Sequence, residues 1–180
     1  MAFSNDYAGT WNVDPSHSQI GFMVRHAMVT KTRGEFTDYE ASFTIDAENP
    51  ANSTGKAVIK ANSIDTGNED RDNHVRTGDF FEVKQFPEIT FEATSAKATG
   101  ENTGVLTGDL TIKGVTKSID LDVEIEGTAV DAYDLTRIGF TATGSINRKD
   151  FGVDWQAPLN SGVMVSDKVV LEIEISAVKA

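Results

Sequence analysis

Cysteine is absent from all 180 residues. Disulfides, thiol nucleophiles and cysteine-ligated zinc or iron–sulfur centres are therefore excluded. Positive charge is scarce too: 16 Lys and Arg stand against 28 Asp and Glu, a formal net charge of −12. That balance lacks the basic footprint that a nucleic-acid backbone demands, so no nucleic-acid partner is expected. No run approaches the roughly 20 apolar residues of a spanning helix, and no integral membrane segment is expected. Met1 to Thr10 shows no basic stretch followed by an apolar one. As written, the chain reads as a soluble cytoplasmic protein; a leader removed upstream would place it in the periplasm or outside the cell. Histidine is limited to His17, His26 and His74, with no i, i+4 pair of the kind a helical zinc site uses. Neither a metal nor a cofactor is expected.

What the chain does contain is a core. Its hydrophobic content of 39% amounts to about 70 apolar side chains, enough for one compact domain. Strict alternation is the dominant pattern. Ile119, Leu121, Val123 and Ile125 share one face while Asp120, Asp122, Glu124 and Glu126 share the other, the mark of a half-buried strand. Leu171, Ile173, Ile175 and Ala177 repeat the device, so much of the acidity is a solvated outer surface. Weaker alternations group Ile20, Phe22 and Val24; Phe43 and Ile45; Ala57 and Ile59; and Ile89 and Phe91. Leu106, Leu110 and Ile112 run in phase with Gly104 and Gly108, and Ile138, Phe140, Ala142 and Ile146 with Gly144. With the stretch around Trp11 and Val13, eight or nine strands are expected.

Turn residues at Asp14-Pro15, Glu48-Asn49-Pro50, Thr99 to Asn102 and Lys113-Gly114 make most neighbours antiparallel hairpins. The exception to the strand pattern is Asp65 to Lys84, where Thr66 or Asn68 can cap a short helix ending near Gly78. An all-β domain without alternating helices is either a two-sheet sandwich or a barrel. Pattern alone does not choose between them. Small residues on inward faces, Gly108, Ala142 and Gly144, leave volume unfilled.

Polar clusters have plain explanations. Asp14, Ser16 and His17 are the residue types of a hydrolase triad, but neighbours on one turn rarely converge as a triad does, and an Asx-type turn accounts for them. Arg71-Asp72-Asn73-His74-Val75-Arg76 with Asp79 either binds a head group or caps and braces the helix. Phe22, Phe36, Phe43, Phe80, Phe81, Phe91, Phe140, Phe151 and Trp155 either line a tunnel or pack a solid core, and composition favours the core.

Several of these residues carry a resemblance. His17-Ser18 before Phe22, Gly34 with Phe36, the run from Arg71-Asp72 through His74 to Asp79-Phe80-Phe81, Pro87 with Ile89 and Phe91, Gly108 to Lys117, and Asn147-Arg148 with Asp150-Phe151-Gly152 together resemble the YceI-like family. They stand in family order from about Trp11 to Ala177. The resemblance implies an all-β fold: one elongated, eight-stranded antiparallel lipocalin-like barrel with a short helix in the 65–85 region. It also implies a hydrophobic tunnel for a long-chain amphiphile such as a polyisoprenoid, isoprenoid quinone or fatty amide, which reverses the solid-core reading. Many members carry a secretion signal, so a chain without one resembles the cytoplasmic subgroup; members are often homodimers, and no catalytic motif carries over.

On that footing the tail-binding residues are Ile20, Phe22, Val24, Phe36, Phe43, Phe80, Phe81, Phe91, Leu110, Phe140, Ala142, Ile146, Phe151 and Trp155. Arg71, His74 and Arg76 are the head-group candidates. A carrier that leaves its lipid unaltered is the expectation. Two other classes compete: a lipid hydrolase or isomerase using His74 with Asp72 or Asp79, and a ligand-free module whose acidic surface meets a basic partner.

Overall fold

In the computed structural model, which describes residues 1–159 and 162–180, the alternating segments form strands that close on themselves. The strands, in chain order, are β1 (Gly9–Val13), β2 (Gln19–His26), β3 (Thr30–Phe36), β4 (Tyr39–Ile45), β5 (Thr54–Lys60), β6 (Ile64–Asp65), β7 (Glu88–Ala98), β8 (Thr103–Ile112), β9 (Val115–Val130), β10 (Thr136–Asn147), a ribbon of β11 (Pro158–Leu159) and β12 (Gly162–Val163), and β13 (Lys168–Lys179). Hydrogen bonding runs β1-β4-β5-β7-β8-β9-β10-β13 and returns from β13 to β1. That ring is a closed eight-stranded barrel, and every pairing in it is antiparallel. The sandwich alternative is excluded. On β9, Leu121 and Ile125 are buried while Asp120, Asp122, Glu124 and Glu126 are exposed, as a two-residue side-chain period requires.

The extra strands β2, β3 and β6 form a flap that branches from the ring along β13. β1 and β2 lie in succession along β13, from Trp11 opposite Lys179 to Met23 opposite Val170. The bend between them falls at Pro15, where Asp14 caps a single 3₁₀ turn. Beyond it β3 pairs with β2, and β6 pairs with β3, so the wall flares outward. At this end α1 (Glu69–Val75) and its following turns lie across the opening between the flare and β7. Arg76 binds the carbonyls of Asn62 and Ile64, Ala61 N–H binds Pro87 O, and Phe81 packs on Phe36. The opposite end is closed by the N-terminal segment, where Phe3 and Ser4 N–H bond to Ala47 and Glu101 carbonyls. Trp11, fully buried there, donates from Nε1 to Tyr7 O at 3.0 Å.

The helix forms where the sequence places it but is one turn shorter than the expected end near Gly78. Asn68 caps it by accepting from Arg71 N–H, with Glu69, Asp70 and Asp72 in the first turn, which favours the positive end of the helix dipole. It stops at Val75 because Thr77 Oγ1 takes the His74 carbonyl and Phe81 N–H takes that of Val75. Those two bonds use acceptors that another helical turn would need.

The Asp14 corner is an Asx-type turn that also pins the bent strand to the barrel. Asp14 accepts from Ser16 N–H and Oγ, contacts His17 Nδ1 at 2.9 Å, and receives Arg137 Nη1 from β10 at 2.9 Å. Ser16 first, then His17 and Arg137, hold its carboxyl well below the usual carboxylate range. A depressed folded-state value stabilises the fold above the unfolded value of 3.8 and loses that contribution as pH falls toward the folded value. The stability gap between the wild type and Asp14→Asn is therefore expected to be widest at neutral pH and to shrink below about pH 4. Urea unfolding across pH 2 to 7 checks this; a constant gap contradicts it.

Candidate functional site: an apolar bore along the barrel

The inward faces of these strands do not fill the barrel. One cavity of about 500 Å³ runs through it, within the 300–1,000 Å³ typical of ligand sites. On β8 its lining extends from Gly104 to Ile112, eight steps or about 27 Å at strand spacing. The space persists for two reasons legible in the side chains. Ala57, Ala93, Ala96 and Ala142 present only a methyl to it. Several aromatic rings also take up the space that a glycine leaves on the wall: Phe91 at Gly108, Phe22 at Gly34 and Phe3 at Gly104.

Gly108 shows how tight that fit is. A Cβ there would sit 2.4 Å from Phe91 Cζ and 2.7 Å from Glu92 O. Gly108→Ala is expected to lift the Phe91 ring into the bore and to cost about 1–3 kcal/mol, the usual range for overpacking. Urea unfolding with parallel uptake of a long-chain fluorescent probe checks both effects; unchanged stability and uptake would contradict the role given to this glycine.

Sixteen of the seventeen residues expected at the site line this cavity, namely Ile20, Phe22, Val24, Phe36, Phe43, Phe80, Phe81, Phe91, Leu110, Phe140, Ala142, Ile146, Phe151, Trp155, Arg71 and His74. Arg76 does not. Its guanidinium is turned to the carbonyls of Asn62 and Ile64 and to Asn73 Oδ1, each at 3.0 Å, so it fastens the helix to β6. Arg71 both lines the cavity and braces the helix start, donating to Thr66 Oγ1 and Thr66 O at 2.7 Å. Asp72 is buried and accepts from Thr66 N–H and Oγ1. His74 instead meets Asp79, Nε2 to Oδ2 at 2.9 Å, with its ring edge-on to Phe80 at 5.2 Å and Trp155 at 4.9 Å.

The ends of the bore differ chemically. His26, Arg71, His74, Arg148 and Trp155 gather at the helical end, while Lys56, exposed and out of phase with the inward Gly55, Ala57 and Ile59 of β5, carries its charge outside. Among the described lining residues there is no Asp or Glu, although the chain carries 28 of them. The acidic groups lie on the outer surface or, like the buried Asp72, are turned to the protein's own donors.

Sequence reasoning missed the cover over this end. Arg148, directly after β10, is 5% exposed. It donates to the carbonyls of Val153 and Trp155 at 2.8 Å, Ser166 at 3.0 Å and Val165 at 3.4 Å, with Asp167 at 3.8 Å. Burial lowers its pKa, yet an arginine stays protonated. Gln156 bonds both the N–H and the carbonyl of Val165. The segments 153–156 and 164–166, which bring Val153, Trp155, Met164 and Val165 to the bore, are thus held together through two side chains. Asn147, whose side chain caps the turn at 148–151, is the one local signal. Nothing in the residue order shows that Arg148 points inward.

A closed antiparallel barrel with an apolar bore and a helix laid across one end defines a lipocalin-like barrel protein. Within that class the chain belongs to the YceI-like family, whose model, described as a YceI-like domain, matches residues 11–177. A UPF0312 protein of Photorhabdus laumondii is 39% identical over 150 residues, covering 82% of this chain and 78% of that protein. A UPF0312 protein of Pseudomonas aeruginosa is 38% identical over 137 residues, covering 76% and 71%. Among solved structures, the Campylobacter jejuni YceI protein superposes with a TM-score of 0.72 at 32% identity over 87% of this chain and 90% of that one. Burkholderia cenocepacia BcnA gives 0.78 at 23% identity, covering 91% and 98%. A polyisoprenoid binding domain from Saccharophagus degradans gives 0.70 at 17%, covering 94% and 98%. The last two are likenesses of fold.

Proposed function

We propose that this protein binds and carries a long-chain amphiphile, burying the chain in the bore and holding the head group at the helical end. The carrying observation is the continuous apolar cavity of about 500 Å³ left open by the protein's own side chains. Each methylene moved from water into such a site contributes about 0.8 kcal/mol, so a dozen contribute about 10 kcal/mol before ordering costs. No hydrogen bond is needed for affinity. An isoprenoid-type chain suits a bore that follows the strands, and the polyisoprenoid binding domain of Saccharophagus degradans shares this fold. With Arg71 and His74 at the mouth and no carboxylate on the described wall, the head group favoured is an acceptor (carbonyl, carboxylate or phosphate) over an amine.

A second reading rests on the His74–Asp79 pair, which has the geometry of a base and its orienting carboxylate. Mass analysis separates the two. Organic extracts of freshly purified protein are expected to hold a long-chain lipid, and a lipid incubated with the protein is expected to return at its original mass. A converted product would establish the enzyme, and failure both to co-purify and to take up any long-chain amphiphile would overturn the carrier.

A further inference from the structure

The hairpin between β2 and β3 does not suit its neighbours or its own turn. From Gln19 to Gly34 there is no acidic residue, in a chain with 28 of them. Phe22, Val24 and His26 face the bore, which puts Arg25 on the outer face directly opposite Lys31, with Arg33 opposite Met23. Like charges facing across a strand pair repel. Arg33 reaches Glu172 at 3.4 Å, while Arg25 and Lys31 form no salt bridge among the described residues.

The tip is equally out of place. Ala27 and Met28 both take left-handed backbone, φ +48° and +61°, and Val29 N–H closes the turn on His26 O. Asparagine and glycine adopt that pair of conformations without strain; alanine and methionine do not. Met28 is nonetheless 48% exposed and Val29 76%. Two apolar side chains thus project into water from a strained turn, flanked by unpaired cations. The tip also stands at the helical end of the bore, where Ala27 N–H bonds Met164 O and Ser166 N–H bonds Arg25 O. Another exposed apolar tip among the described residues, Tyr133 and Leu135, lies at the opposite end; Asp131 and Asp134 flank it, and the nearby cation Arg137 is paired with Asp131 at 2.6 Å.

We propose that the 25–33 hairpin docks the protein on an anionic lipid bilayer, with Met28 and Val29 entering the interface and Arg25, Lys31 and Arg33 facing the head groups. An apolar tip ringed by cations matches that surface in both respects. Docking at this end brings the mouth of the bore to the membrane. The inference goes beyond carriage of a ligand and does not require an occupied bore.

The test is sedimentation of the full chain with vesicles of phosphatidylcholine alone or mixed with phosphatidylglycerol, at low and high salt. The wild type is expected to sediment with the mixed vesicles at low salt only. Loss of one cation near an anionic surface costs about fivefold in partition, so Arg25→Gln with Lys31→Gln is expected to lose about 25-fold. Ala27→Asn with Met28→Gly suits the turn and is expected to raise the urea midpoint while lowering vesicle binding. Equal binding to both vesicle types, no binding, or binding unaffected by these variants would overturn the proposal. Ala142→Phe, which obstructs the bore, is expected to dock as the wild type does, so failure of docking and failure of chain binding are read separately.

Discussion

Replacing Arg148 with alanine is expected to destabilise the protein by about 3–5 kcal/mol, the range for dismantling a buried charge network. The carbonyls of Val153, Trp155 and Ser166 would lose the guanidinium that now donates to them, while that of Val165 keeps Gln156 Nε2 at 2.7 Å, and each buried orphan costs about 1–3 kcal/mol when water cannot reach it. Water reaches some of them once the cover loosens, which keeps the total below the simple sum. In a domain of this size the loss corresponds to roughly 6–20 °C in Tm. Arg148→Lys restores the charge but not the planar fork of donors, so it is expected to recover less than half of the loss. Urea and thermal unfolding of the two variants decide the matter. A loss below about 1 kcal/mol for Arg148→Ala would mean that the cover is held by something other than this residue.

Ala142→Phe is the second large effect, on binding instead of stability. Ala142 is 2% exposed, sits between Val123 and Ile173 on the neighbouring strands, and presents its methyl to the bore. A phenyl ring there has the lumen to enter, so the expected stability change stays within the 1–3 kcal/mol of ordinary overpacking. The same ring denies a long chain the inner part of the bore. If about six methylenes are excluded, the loss is about 5 kcal/mol, a weakening of more than a thousandfold. Short-chain amphiphiles that stop nearer the mouth are expected to bind as before. Titration of the folded variant with a chain-length series reads the effect directly; undiminished long-chain affinity would show that ligand does not pass Ala142.

The barrel wall was legible in the residues because a strand's two-residue period leaves a trace wherever one face meets apolar space and the other meets water. Ile119 to Glu126 and Leu171 to Ala177 are such traces, and the phase of Gly104, Gly108 and Ala142 with their apolar neighbours already marked small residues as inward. The bore was less legible. Composition favoured a filled interior, since a phenylalanine in a sequence does not reveal whether its ring crosses the lumen or lies on a glycine of the next strand. That depends on register, which joins Phe91 to Gly108 through pairings 15 or more residues apart. The helix was placed correctly by Asn68 and the acids after it, but its last turn was lost to Thr77 and Phe81, whose local bonds to His74 O and Val75 O depend on how the following turns fold and leave no pattern in the residue order. Arg76 illustrates the remaining gap. One helical turn brings Asp72, His74 and Arg76 close in sequence, yet only His74 faces the cavity; Asp72 turns to Thr66 and Arg76 to β6.

The most direct test is a crystal structure of the protein grown with a terminally brominated long-chain amphiphile, in which anomalous scattering locates the end of the chain. The expected bromine peak lies inside the barrel, past Ala142 toward Phe43 and Phe140, with the head group beside Arg71 and His74. A barrel whose side chains meet across the axis, with the bromine outside or absent, would contradict the carrier account.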